Sequence, residues 1–507
     1  CMCLTVGMGL WVTSLVYGEL GSAGFGVFAA AQAVMTLFLI VVDAFSSGVE
    51  RNIAYAVGEK DDLRVRRIVG SALVFSGCAA AGLLLFALVA APWLAGTLQA
   101  TDADREHLPA ALRWIGAITA LTIVQAPYKS LLVAKQSIYL VNIYELVEAV
   151  VRLAAAGFLV FSLEPTIASY GKYTFFGVAC TTTSLVLLCS VYMTEARLCK
   201  PSELHRVASF GFWVLLGSLA WKLRTQGAQV ITNVLCGAVA TTSYAVGLQL
   251  AMYQNNLTFA VYRATRPAMI TAQGKRNIEQ VRAMTRGASK VLSFVTLYFA
   301  VPFLFEAGVV LDLWLKDPSE LMTTTVRYIV LAMALKDLTA GHIMACHARG
   351  KIAWHEVTVV AVNAVALLAS SALIYWRGFP PSTIPLSLVV ATVALNVIRV
   401  TVFRRIAQFG LWEWLDSVFS PYAAAAVSAS IAALLVQWLM APSLLRVIAV
   451  TAATTCTLTV VIAAYGLSSA ERALLNGLLR RCASVFRRSS ALPNGPDENQ
   501  FSRIKRP

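Results

Sequence analysis

Charge is what this sequence has least of. Only 13% of its 507 residues are Asp, Glu, Lys or Arg, about half of the quarter or so that lets a soluble domain face water. That shortfall excludes an ordinary soluble protein. No Cys-x-x-Cys pair occurs among the ten cysteines, so none is offered to hold zinc or run redox chemistry. Cys78, Cys180, Cys189, Cys236, Cys346 and Cys456 lie in apolar runs, where cysteine behaves as a small hydrophobe. Histidines number five, and the spacings of His342, His347 and His355 (five and eight residues) do not stack on one helical face; no metal site is expected. Also missing is the Gly-x4-Gly-Lys-Ser/Thr loop that cradles nucleotide phosphates, which argues against direct use of ATP. No cofactor is expected.

What fills the space is apolar sequence: 58% of the residues are hydrophobic and the mean hydropathy is +0.71. Many runs reach the ~20 residues needed to cross a hydrocarbon core. Between polar breaks they give fourteen candidate spans, near 2–17, 25–46, 68–95, 109–133, 142–163, 172–193, 208–235, 239–262, 288–313, 322–346, 354–376, 382–402, 419–440 and 443–467. The chain opens on Cys1, so residues are expected to precede it, and the short first run, Met2 to Tyr17, fits a clipped helix. It lacks a basic leading segment and is followed by many more spans, unlike a cleaved signal.

Lysine and arginine in the short loops orient the spans. With the N-terminus inside, the second inner loop region holds Arg51, Lys60, Arg64, Arg66 and Arg67, and the one before span nine holds Arg263, Arg266, Lys275, Arg276, Arg282, Arg286 and Lys290. The outer loops hold Arg105, Lys172, Lys316, Arg377 and Arg446. A split of about thirty basic residues against five predicts an inner-membrane protein with both termini in the cytoplasm. The net charge of +15 is thereby assigned to loops that meet anionic lipid headgroups, and no nucleic-acid partner is expected.

A displacement of about 216 residues brings Gly58–Lys60 onto Gly274–Arg276 and Arg66 onto Arg282. Repetition over six spans predicts two six-helix lobes, residues 1–200 and 201–405, around a central cavity, as in transporters whose substrate lies between rocking repeats. Two added spans, 406–467, and a cytoplasmic segment, 468–507, complete the all-α membrane architecture. In the last segment, Leu474, Leu475, Leu478 and Leu479 beside Arg480, Arg481, Arg487 and Arg488 read as an amphipathic helix on the inner leaflet. The polar stretch 491–507 is expected to be disordered.

Near the N-terminus the sequence runs Glu19-Leu-Gly-Ser-Ala-Gly-Phe-Gly-Val-Phe, then an apolar span ending Val-Asp43-Ala-Phe-Ser-Ser-Gly-Val-Glu-Arg51, then a charged loop to Arg67. This resembles the opening of polysaccharide-biosynthesis membrane proteins, the O-antigen and capsule flippases (Wzx type) of the multidrug/oligosaccharidyl-lipid/polysaccharide exporter superfamily. Leu20, Gly21, Phe25, Gly26, Asp43 and Arg51 stand at matching positions, whereas Ala44-Phe45 replaces the usual Gly-Leu after the Asp. The resemblance implies two six-helix bundles around a cavity open alternately to each side. It also implies that an undecaprenyl-pyrophosphate-linked oligosaccharide is turned from the cytoplasmic to the periplasmic leaflet, without covalent chemistry. Polymerase and chain-length proteins of polysaccharide assembly would be its partners.

Charges inside spans cost about 2.5–3.5 kcal/mol each on insertion scales unless they face protein or water. Span five carries Glu145, Glu148 and Arg152 on one face; span seven carries Lys222 and Arg224, and span ten Lys336 and Asp337, with Arg327 near its end. Arg113 begins span four, and Glu306 and Asp312 lie late in span nine. Read functionally, Arg152, Lys222, Arg224 and Lys336 make a partly cationic cavity suited to pyrophosphate. Lys222 and Arg224, about 200° apart around a helix, cannot both face it. The plainer reading pairs Glu148 with Arg152, lets Arg113 and Arg327 snorkel, and makes Asn255 and Asn256 interhelical glue. Cation coupling, by proton or sodium, has Asp43, Glu145 and Glu148 as candidates.

Asp102-Ala-Asp104 has the form of a glycosyltransferase metal motif but sits in a short outer loop with no catalytic domain around it. The competing readings are a cation-coupled multidrug exporter or a peptidoglycan-precursor flippase and, from another class, a membrane polymerase or glycosyltransferase of polysaccharide assembly, although such enzymes usually have a larger outer loop.

Overall fold

The computed structural model describes residues 2–193, 218–219, 221–349 and 352–466. The predicted amphipathic helix and tail after 467 lie outside the described residues, as does much of the seventh predicted span. All regular structure among the described residues is helical, as a chain crossing hydrocarbon requires, because only a helix or a closed barrel satisfies its backbone without water.

The N-terminal half comprises α1 (Met2–Leu37), α2 (Leu39–Gly58), α3 (Asp62–Thr97), α4 (Asp102–Ala134), α5 (Ile138–Val160) and α6 (Ile167–Tyr192). In the C-terminal half, a π-helical turn at Leu223–Gly227 leads into α7 (Ala228–Cys236), followed by α8 (Ala238–Gly274), α9 (Ile278–Trp314) and α10 (Glu320–Lys336). A 3₁₀ turn at Asp337–Thr339 joins α10 to α11 (Ala340–Ala348); then come α12 (Ile352–Arg377) and α13 (Thr383–Thr401). A final pair, α14 (Ser420–Leu439) and α15 (Leu444–Val461), packs on α9.

The displacement of 216 holds at atomic detail. Gly21, which breaks α1 with φ 69° and ψ 177°, has its counterpart in Gly237 between α7 and α8, with φ 86° and ψ −178°. Only glycine adopts that backbone cheaply, so each half opens with two rods joined at a glycine. The turn after α2 carries Lys60 at φ 56°, and the turn after α8 carries Arg276 at φ 53°. The following helices are capped alike, Asp61 accepting from the Arg64 amide and Asn277 from the Gln280 amide. Helices α6 and α13 begin at Ile167 and Thr383, again 216 apart. With residues 2–20 and the rod from 22 to 58 counted separately, the helices among the described residues fall on the predicted spans, the seventh being described only from 218 on; several run on as polar extensions beyond the apolar stretch, as α8 does to Gly274.

Among the described residues, ten helices are long and apolar enough to cross a membrane. The segments outside that count, α2, α5, residues 221–236 and α8, also carry polar groups within their length: Asp43 and Glu50, Glu145, Glu148 and Arg152, Lys222 and Arg224, Gln249, Gln254 and Asn255. All four contribute to the wall between the halves.

Candidate functional site, a polar cavity between the halves

The halves meet through hydrogen bonds, most of them to backbone carbonyls, at the end bearing the loops that follow α3 and α9. Gln99 donates its amide to Asn233 Oδ1 at 2.9 Å and its Nε2 to the Val234 carbonyl at 2.8 Å. Trp314 Nε1 donates to the Leu10 carbonyl and Ser14 Oγ to the Trp314 carbonyl, both at 2.8 Å. Thr242 Oγ1 donates to the Ser22 carbonyl. A helix crossing this close needs small residues: a Cβ at Gly26 would fall 1.9 Å from the Ala238 carbonyl oxygen.

Beyond this seal lies a cavity of about 520 Å³, walled by α1, α2, α4, α5 and α6 from one half and by the π turn, α7 and α8 from the other. Its polar lining is mostly uncharged: Gln32, Gln226, Gln229 and Gln249 with six threonines, beside Phe25, Phe28 and Tyr170. Gln229 is anchored by its Nε2 on the Ala29 carbonyl at 2.7 Å, and Gln249 by Nε2 on the Gly9 carbonyl at 3.1 Å. The side-chain amides of Gln32 and Gln226 make no hydrogen bond among the described residues. Amides offer a donor and an acceptor at once, and aromatic faces pack on apolar C–H surface, so the wall suits a polyhydroxylated guest.

Of the four predicted cationic contacts, Arg152 alone lines this cavity. It is half-buried and donates to Glu148 Oε1 at 2.7 Å, while Lys129 approaches the other carboxylate oxygen at 3.7 Å. Both readings of the Glu148–Arg152 pair therefore meet in one residue, paired and cavity-facing. Glu145, on the same helix, stands exposed. Lys222 bridges to Asp43 at 3.6 Å, an ion pair that joins the two halves. Arg224 and Lys336 point elsewhere, into a second cavity of about 170 Å³ within the C-terminal half. Lys222 and Arg224 diverge, as their spacing demands.

Sequence reasoning missed several groups. The cavity glutamines interrupt apolar runs, and the i, i+3 spacing of Gln226 and Gln229 was the available signal. His347 and His355, set aside because they do not share a helical face, come together from α11 and α12: His347 Nε2 and His355 Nδ1 each lie 3.1 Å from Glu356 Oε1. The three ligand atoms lie within 4.8 Å of one another, close enough for a metal. However, Arg399 Nε donates to His355 Nε2 at 3.3 Å, which leaves the His355 proton on Nδ1, directed at Glu356. A metal-bound histidine instead gives its second N–H to an acceptor, so the donor set fits a hydrogen-bond network. Arg399, inside the twelfth span, was the sequence signal.

Other intramembrane charges have structural partners. Glu306, 1% exposed at its side chain, is held by Arg446 at 3.0 Å and by Gln437 at 3.0 Å, tying α14 and α15 to α9. Arg327, an exposed residue, donates its Nε to the Leu304 carbonyl at 2.9 Å. Asn255 accepts from Lys336 at 2.5 Å, the expected glue. Asp102 and Asp104 occupy the first turn of α4 behind the Thr101 cap, where negative charge favours a helix N-terminus.

Residues 2–273, just over half of the chain, match the family described as polysaccharide biosynthesis protein. No curated protein sequence matches the chain. Among solved structures, the chain resembles the lipid II flippase MurJ in an inward closed conformation, with a TM-score of 0.69 at 10% identity over 91% of this chain and 96% of that one. It also resembles an inward-facing multidrug resistance MATE family transporter of the MOP superfamily, with a TM-score of 0.65 at 12% identity over 80% and 95%. An outward-facing MATE transporter of that superfamily gives 0.59 at 13% identity over 80% and 94%. These likenesses establish the fold, a multi-pass helical one that those proteins share.

Proposed function

Because the chain belongs to the polysaccharide biosynthesis protein family, which its residues 2–273 match, we propose that it is a flippase for a lipid-linked oligosaccharide. In this reading it turns an undecaprenyl-pyrophosphate-linked repeat unit from the cytoplasmic to the periplasmic leaflet of the inner membrane, for O-antigen, capsule or exopolysaccharide assembly. The observation that carries the reading is the cavity shared by both halves, whose amides, hydroxyls and aromatic rings suit sugar while Arg152 alone supplies charge. We assign the pyrophosphate to Arg152, which exchanges its Glu148 partner for phosphate oxygens. The fold shared with a lipid II flippase supports an amphiphilic cargo.

The lobes 1–200 and 201–405 rock about the site, the pair 406–467 flanks them, and the basic inner loops keep both termini cytoplasmic. A proton or sodium ion acts at Asp43, whose partner Lys222 lies in the opposite half; neutralising the carboxylate releases a tie between the lobes. Glu148 is engaged by two cations and is the weaker coupling candidate.

The test is made in the source bacterium with the gene deleted and complemented by wild type, Arg152→Gln or Arg152→Lys. Deletion and the Gln variant are expected to abolish surface polysaccharide and trap single lipid-linked repeat units on the cytoplasmic leaflet, with Lys restoring part of the export. Normal polymer with altered sensitivity to cationic drugs would make the protein an exporter. Repeat units that reach the periplasmic leaflet but stay unpolymerised would move it to the polymerases.

A further inference from the structure

The second cavity is an electrostatic anomaly. Arg224 is only 7% exposed, its Nε has no hydrogen-bond partner, and its Nη2 finds only the Met333 sulfur at 3.9 Å. No carboxylate lies within ion-pair distance of it among the described residues. A buried guanidinium left this way is costly, and each such group in a native protein calls for an explanation. Tyr244 holds the segment in place by donating to the Arg224 carbonyl at 2.8 Å, so the arginine cannot simply swing out with its turn.

The surroundings define what would satisfy it. Arg399, 5% exposed, shares the wall; it donates to His355 Nε2 and, at 3.2 Å, to Thr339 Oγ1. Lys336 completes the cationic side and pairs with Asp337 at 3.6 Å. Three cations, Arg224, Lys336 and Arg399, thus line the cavity with one carboxylate, Glu356, while Asp337 pairs with Lys336 from outside the lining; among the described residues this leaves one positive charge in excess with the histidines neutral. The same wall holds a buried acceptor without a donor, Asn363 Oδ1, whose Nδ2 is committed to the Val359 carbonyl at 2.8 Å. A guest that satisfied all of these groups would carry one negative charge, accept from a guanidinium and also donate a hydrogen bond. A halide meets the first two conditions and fails the third.

We propose that this cavity binds one monovalent hydrogen-oxyanion, of the dihydrogen phosphate or hydrogen carbonate kind, with Arg224 and Arg399 on its oxygens and Asn363 on its hydroxyl. The volume of about 170 Å³ suits such an ion free in solution, without a lipid chain. The site lies apart from the cavity between the halves and does not depend on the cargo that cavity takes. Bound there, the anion locks the π turn before α7 to α10, α12 and α13 through one charge.

The test uses the full-length protein in phosphatidylcholine nanodiscs, its thermal unfolding followed in methanesulfonate at constant ionic strength. Titrating inorganic phosphate, at a pH where the monoanion dominates, is expected to raise the midpoint saturably by about 2 °C or more. Chloride should not reproduce the rise. Arg224→Gln should abolish it, while Arg282→Gln, which alters an exposed cation, should keep it. Broadening of the phosphate ³¹P resonance by the wild-type protein supplies a second reading should Arg224→Gln fail to fold. Equal midpoints in phosphate and methanesulfonate without broadening, an equal effect of chloride, or a rise that survives Arg224→Gln would each overturn the proposal. Displacement of phosphate by an isoprenyl phosphate added to the nanodisc would overturn the free-ion assignment and give the site to a lipid headgroup.

Discussion

Replacing Gly26 by alanine probes the contact on which the two halves close. The added Cβ would stand 1.9 Å from the Ala238 carbonyl oxygen and 2.5 Å from Thr242 Oγ1, both far inside van der Waals contact. Rigid backbone borders the site on one side, so relief requires the rods to part by roughly 1 Å or more. Overpacking of this kind costs about 1–3 kcal/mol. Separation also strains the Thr242–Ser22 bond, adding about 1 kcal/mol if it is lost. The penalty falls only on conformations in which the halves touch here, so an equilibrium between closed and open forms shifts by roughly thirtyfold for each 2 kcal/mol. The assay labels a cysteine at Gln32, on the cavity wall, in a background lacking the native cysteines. The thiol reagent is added at the membrane face where Gly26 lies. Gly26→Ala should raise the labelling rate tenfold or more and lower the unfolding midpoint, with Gly26→Val more severe. Unchanged rate and midpoint in both variants would refute the reasoning.

Three further outcomes are expected. Arg446→Met strips the buried Glu306 of its cation and should cost about 3–5 kcal/mol, read as early unfolding of the C-terminal pair; adding Glu306→Gln should recover much of the loss. By contrast, Glu413→Gln breaks a bidentate but exposed pair with Arg282, at 2.9 and 2.8 Å from its Nε, and should cost at most about 0.5 kcal/mol, vanishing at high salt. Gly21→Ala meets no neighbour but must hold φ 69° and ψ 177°, a region essentially confined to glycine, so thermal unfolding should show about 1–3 kcal/mol of backbone strain.

Low charge placed the chain in a membrane, and its unbroken apolar runs of about 20 residues selected helices over a closed barrel, whose shorter strands alternate apolar and polar residues. The repeat was legible too, since the turn residues at Gly58–Lys60 and Gly274–Arg276 are local chemistry that sequence spacing preserves. Arg152 and Glu148 could be paired from their i, i+4 spacing. What spacing along one helix cannot report is which helix comes to face it. Only the tertiary structure brought Lys222 to Asp43, Arg446 to Glu306, and His347 with His355 to Glu356. Only it divided the predicted cations between two cavities, Arg152 in one and Arg224 with Lys336 in the other. The physical reason is that in-membrane charges are stabilised by partners on other helices, and partner choice follows from helix packing rather than from local sequence.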